Sequence, residues 1–307
     1  MDSSKGILVH QGTKTELSRG YSSVSPCYMG AQHFILTRFN LLLWNKDKER
    51  QPVRTAAWLE HRFALFEHYC LPSIKNQTCQ DFEWIVLFDS TTPERFKEKI
   101  KEFQVLCPQL LPVFVEPKNG RYFAEIFRKE VVSRLYANRV ITTYLDNDDA
   151  LHVRFVEDIR QRVQELKDGT FIYYTLGYQF YTDYNYLLQV HYPRNHFASV
   201  VERGALETVK TIYGYGSHYY ICKQKDARIK KIENCPMWCE VIHERNMGND
   251  AYFLNAKMVK DEDLLQVGFG VYEKVKYGVG IYLFRFLPRY VETFFRRCGY
   301  KLFGRHW

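Results

Sequence analysis

The 307-residue sequence contains no stretch of about 18 uncharged apolar residues, so it encodes no ordinary bilayer-crossing helix. Its opening, MDSSKGILVHQGTKTELSRGYSS, lacks the apolar run and small-residue cleavage site of a secretory signal. The eight cysteines are scattered, Cys235 and Cys239 lying closest, and neither a CxxC pair nor a Cys/His zinc spacing occurs. These absences lead us to expect a cytoplasmic protein with free thiols. The P-loop pattern GxxxxGK[ST] is missing, and the pairs Gly268/Gly270 and Gly278/Gly280 lack the rest of a phosphate-binding fingerprint. There is no RNA-recognition aromatic motif and no helix-turn-helix signature, so no nucleic-acid partner is expected.

What the chain has in quantity is aromatic surface, with 23 Tyr and 22 Phe. Rings in that number fill a core and leave some for stacking on sugars or bases. Charge is unevenly spread. The segment from Lys276 to Trp307 holds seven Lys or Arg against Glu292 alone, a net +6 of the chain's +8. A nearly neutral body with a basic tail points to an anionic surface met by the tail.

Residues 1–30 read as a polar extension. HFILTRFNLLL, FEWIVLF, LLPVFVEP and RVITTYL are apolar runs of strand length. Between them TAAWLEHRFALFEHYC, PERFKEKIKEFQVL and RYFAEIFRKEVVSRLYAN repeat apolar residues at helical spacing, the first expected to stop near Pro72. LHVRFVEDIRQRVQELKDG reads as a further helix ending at Gly169. The alternation predicts a parallel sheet covered on both faces over 31–168. Residues 169–275 then turn Tyr-rich and strand-like, with helical signals only at 249–260. The basic segment 276–307 predicts a helix from Pro288 to about Tyr300, apolar at Val291, Phe294, Phe295, Cys298 and Leu302.

The sharpest feature is YLDNDDAL, residues 144–151, with three carboxylates in four positions directly after an apolar strand. The carboxyl edge of a parallel sheet is where ligands bind. Crowded carboxylates repel, and a hard cation such as Mg²⁺ or Mn²⁺ relieves the repulsion while leaving positions for two phosphate oxygens. A helix cap at Asp148 or Asp149 would account for one acid but not for three.

Here a resemblance carries further. LPSIKNQTCQDFEWIVLFDSTTP resembles the first nucleotide-binding unit of inverting GT-A glycosyltransferases, and VITTYLDNDDALH resembles their DXD-type strand end. HFILTRFNL, LDNDDAL and PMWCEVIHERN together resemble the rhamnosyltransferase family of bacterial polysaccharide gene clusters, over roughly residues 33–250. The resemblance implies an α/β, GT-A (Rossmann-like) mixed sheet and a nucleoside-diphosphate sugar as donor. It implies Asp146 on the metal or ribose, Asp148 as the main metal-side carboxylate, and Asp149 supporting the turn or meeting the donor sugar. Asp89 would hydrogen-bond the base, Arg38 would approach the base or diphosphate, and His243 would complete the metal site or bind the diphosphate.

PMWCEVIHERN, residues 236–246, gathers Trp238, Glu240 and His243. Trp238 is read either as a stacking wall for a sugar or as core. Inversion needs a carboxylate to take the acceptor's proton; Glu240 is the first candidate, with Asp183 and Asp250 as alternatives. His218 reads as a strand histidine that could line the acceptor site. The acceptor is expected to be a glycan or a lipid-linked glycan, met at the inner face of the cell membrane. Two other classes stay open: binding of a nucleic acid or another anionic polymer, motivated by the basic tail and the aromatics, and metal-dependent phosphoryl hydrolysis or nucleotidyl transfer.

Overall fold

Four parallel strands frame the chain, each from an apolar run: β1 (Gln32–Arg38), β2 (Glu83–Asp89), β3 (Leu110–Val115) and β4 (Arg139–Tyr144). The computed structural model describes residues 30–43, 55–221, 223, 227–243, 256–260 and 268–303. Side chains alternate across the sheet, as strand geometry requires. Ile35 of β1 packs with Phe63, Phe66 and Phe103 on one face, and Phe34 and Leu36 pack with Phe127, Val131 and Ile212 on the other. The helices that cover these faces are α1 (Ala56–Leu65), α2 (Leu71–Lys75), α3 (Glu94–Leu106), α4 (Phe123–Ser133) and α5 (Phe155–Arg162).

Beyond residue 169 come β6 (Thr170–Tyr174), β7 (Leu176–Tyr181), β8 (Tyr186–His191) and β9 (Ala198–Arg203). Two helical turns, α6 (Thr211–Gly214) and α7 (His218–Ile221), lead to β10 (Arg228–Ile232), β11 (Trp238–Ile242) and β12 (Ala256–Met258). The first sheet has the order β10-β6-β9-β4-β1-β2-β3, with β9 antiparallel to both its neighbours. The second half therefore completes the sheet of the first. A second sheet, β12-β8-β7-β11-β5, includes the two-residue strand β5 (Ala150–Leu151), which pairs with Trp238 and Cys239 of β11.

Several local expectations change. LHVR does not open a helix: Ala150 and Leu151 are drawn into β5, and α5 begins only at Phe155 after Arg154. Asp148 and Asp149 thus cap nothing. The helix through Pro72 does not stop there; a π-helical turn, Phe66–Cys70, precedes α2, and Pro72 sits in its first turn. The C-terminal helix, expected to start at Pro288, starts earlier: α8 (Val279–Ile281), a π turn (Tyr282–Phe286) and α9 (Leu287–Phe303), with Pro288 the second residue of α9. A proline lacks an N–H and crowds the carbonyl four residues back; a π turn just before it changes that pairing, so the helix runs on. SHYYICK forms the short α7 instead of a strand. The helical expectation at 249–260 falls partly outside the described residues, and 256–258 is strand. Cys70, Cys107, Cys235, Cys239 and Cys298 are free thiols, whereas Cys79 is disulfide-bonded, so the expectation of free thiols does not hold throughout.

Candidate functional site

The acid loop leaves the carboxyl end of β4 and is tied down on both sides. Leu145 N–H donates to the Leu36 carbonyl, and Asn147 Nδ2 donates to the carbonyls of Arg38 and Phe39, at 3.1 and 2.7 Å. The far end of the loop enters β5 and so is clamped against β11. That pairing brings residues 146–149 beside Glu240 and His243, ninety-odd positions away in sequence.

Each acid has its own partners. Asp148, buried, accepts from Arg62 Nη1 at 2.9 Å and lies 3.0 Å from His243 Nε2. Burial alone would raise its pKa, but Arg62 and the hydrogen bond from His243 outweigh burial and hold the carboxyl well below the usual range. Asp149, also buried, accepts from Val241 N–H at 2.9 Å and lies 2.9 Å from His196 Nε2. Burial pushes Asp149 up, with Asp148 adding to it, while His196 is raised because its bond to Asp149 outweighs its own burial. The pair therefore holds a proton firmly. Asp146 is the partly exposed member; it accepts from Tyr144 Oη at 2.9 Å, and Arg38 Nη2 stands 3.8 Å away.

Asp146, Asp149 and His196 each offer a ligand atom, and the three atoms lie within 4.8 Å of one another. Two carboxylates and an imidazole suit a divalent cation of the Mg²⁺, Mn²⁺ or Zn²⁺ kind. This group differs from the expected set of Asp146, Asp148 and His243: His243 turns to Asp148 and Arg62 instead, and His61 lies edge-on to it at 5.2 Å.

Glu240 is 4% exposed, accepts from Gln179 Nε2 at 2.6 Å, and has a pKa raised by burial. Asp183 is exposed in the β7–β8 turn, and Asp250 lies outside the described residues. Asp89 is buried and faces its own turn, accepting from Thr91 N–H at 2.8 Å, while its N–H donates to Asn40 Oδ1. Trp238 is not a stacking wall. It is fully buried, lies 4.9 Å from Phe197 ring to ring, and donates from Nε1 to the Tyr174 carbonyl.

Next to the three-ligand group opens a cleft of about 320 Å³, lined by Arg38, Phe123, Tyr144, His196, Tyr213 and His218 among others. The Arg38 guanidinium sits 4.8 to 5.6 Å from the ring centroids of Phe123, Tyr213 and Tyr144 and donates to Tyr144 Oη at 2.7 Å. His218, expected on a strand, reaches this wall from α7, with its pKa lowered to about 4 by burial and by the charge on His196. The wall formed by α6 is held by buried Glu202, which accepts from Lys210 N–H, Thr211 N–H and Tyr215 Oη. Thr211 is held there at φ 65, an unusual value for a β-branched residue.

Fold and site together describe an α/β protein with an acidic ligand group at a strand end beside an aromatic cleft. The chain belongs to the family described as "Putative rhamnosyl transferase", which matches residues 32–253. No match was found among curated proteins. Among solved structures it is similar to Staphylococcus aureus TarS, at 11% identity and a TM-score of 0.35, over 69% of this chain and 37% of that one. TarS 1–349 in complex with UDP gives 10% identity and a TM-score of 0.37, over 70% of this chain and 61% of that one. A "putative nucleotide-diphospho-sugar transferase" from Desulfovibrio desulfuricans G20 gives 8% and 0.32, over 69% and 80%. The chain thus spans less than two thirds of the length of the TarS chains.

Proposed function

We propose that this chain transfers a sugar, rhamnose being the first candidate, from a nucleoside-diphosphate donor to a glycan or lipid-linked glycan, by a metal-assisted, inverting GT-A mechanism in surface polysaccharide synthesis. The observation that carries the reading is the juxtaposition of Asp146, Asp149 and His196 with the aromatic cleft. Oxygen-rich ligands with one imidazole fit Mg²⁺ or Mn²⁺, and such a cation, when bound, offsets the charge of the departing diphosphate.

The chain's own residues supply the rest. Phe123, Tyr144 and Tyr213 give the cleft flat walls on which a base can stack, and Arg38 fixes its orientation by donating hydrogen bonds. Arg62 and His243, which hold Asp148 on the same loop, are the further groups for diphosphate oxygens. Glu240 takes the proton of the acceptor hydroxyl. As it does so, that oxygen bonds to the anomeric carbon, and the carbon–oxygen bond to the diphosphate breaks with its electron pair going to the diphosphate. Burial raises Glu240 from the ordinary carboxylate range, the direction a general base at neutral pH requires.

Titration calorimetry against UDP, dTDP and GDP, with Mn²⁺ and with chelator, tests the reading. One nucleotide should bind, and chelation should weaken it at least tenfold, about 1.4 kcal/mol. Asp146→Asn and His196→Ala should each abolish that metal dependence. Failure of all three nucleotides to bind would sink the proposal; unaltered metal dependence in both variants would move the cation elsewhere.

A further inference from the structure

Ten of the eighteen large apolar side chains exposed among the described residues lie between Tyr272 and Phe295. They are not scattered. Leu283, Leu287, Val291, Phe294 and Phe295 recur at spacings of three and four, so they share one side of the helix formed by α8, its π turn and α9. Phe284 and Phe295 are 78% and 67% exposed. The opposite side holds the body: Phe286 is buried, Ile281 and Tyr290 pack on the main core, and Arg285 lies 4.2 Å over the Tyr184 ring. The helix is thus anchored by one face and presents a row of rings and branched chains with the other.

Monomeric proteins rarely leave so continuous an apolar row in water. We propose that this row is seated in the interface of an anionic lipid bilayer, with the helix lying in the plane of the membrane. Charge selects that occupant. Apart from Arg289, which bonds Tyr186 of the body, the sequence of α9 holds Arg296, Arg297 and Lys301 against Glu292 alone, a net charge that an anionic surface complements. Among the described residues no helix is long and apolar enough to cross a membrane, so the helix lies on the bilayer. The apolar row stands apart from the acid loop, and a membrane seat would bring the chain to where a lipid-linked acceptor is found.

The test is co-sedimentation of the full chain with vesicles of phosphatidylglycerol and phosphatidylcholine in equal parts, compared with phosphatidylcholine alone. The chain should pellet with the anionic vesicles at low salt, and raised salt should release part of it. Phe294→Asp combined with Phe295→Asp should lower partitioning about tenfold or more while nucleotide binding is unchanged. Leu287→Trp keeps the row apolar and should show a blue-shifted emission only with anionic vesicles. The proposal is overturned if the wild type stays in the supernatant at low salt, or if the Leu287→Trp emission does not move. It is also overturned if light scattering shows a dimer that the double aspartate variant dissociates and no vesicle binding accompanies it.

Discussion

Removing the Asp148 carboxylate would strand the Arg62 guanidinium, which is only 13% exposed and bonds that oxygen at 2.9 Å. An uncompensated, largely buried charge costs several kcal/mol. Asp148→Ala should therefore fold but lose about 3 kcal/mol of stability in urea titration, and adding Arg62→Met should restore more than half. If the double variant is no more stable than the single one, the Arg62 pairing is not what Asp148 supplies. Glu240→Gln poses a different question. It keeps the bond with Gln179 in reach, so donor affinity should hold while turnover falls at least 100-fold, a general-base effect of roughly 10²–10⁴. Full turnover in this variant would take the base role from Glu240. At this scale the sequence was informative where chemistry was concentrated: three acids in four positions announced themselves. His196 and Arg62 did not. Each sits in a stretch with no local signature, and only the folded chain carries them 47 and 86 positions to Asp149 and Asp148.

Strands and helices were legible wherever an apolar run or a helical repeat was strong, as in β1, β2, β4 and α3. They were not legible where a long-range partner decides. Ala150 and Leu151 favour helix by pattern, yet pairing with β11 makes them strand. Pro72 looked like a stop and Pro288 like a start because local rules do not foresee a π turn. Close packing between elements gives a direct check. A Cβ added at Gly177 of β7 would stand 2.1 Å from the Trp238 ring, which cannot retreat because it is wholly buried. Gly177→Ala should cost at least about 2 kcal/mol by overpacking, read as a lowered midpoint of thermal unfolding. A pH effect belongs to β1. Burial lowers His33 from 6.5 to about 3, with the nearby charge of Arg160 helping. Below pH 6.5 the unfolded chain takes up a proton that the folded chain refuses, so stability falls as pH falls toward 3. The loss from pH 6.5 to 5 should be about 2 kcal/mol. His33→Gln cannot take that proton, and in urea titrations at pH 7 and pH 5 its stability should fall by that much less than the wild type's. An equal fall in both proteins would acquit His33.

One sheet joins the parts of the molecule that composition divides. Beyond residue 169 the chain returns β9 to the exposed edge of β4 and adds β6 and β10 outside it. A fragment ending at residue 168 would leave β4 unpaired on that side, an invitation to association. We expect the fragment to be insoluble or oligomeric by light scattering, and the intact chain to lose circular dichroism and nucleotide binding in one urea transition. Two separated transitions would show that the halves are independent. The same return of the chain sets an order of events on the ribosome. The acids at 146–149 emerge while His196 and His243, 47 and 95 positions downstream of their partners, are still unmade. At about 5–20 residues per second that interval is some 2 to 20 seconds. During it the nascent chain displays three neighbouring negative charges with two of their later partners not yet synthesised. Divalent ions already in solution are the available counter-charge, so the acid loop can meet a cation before the sheet that holds it is closed.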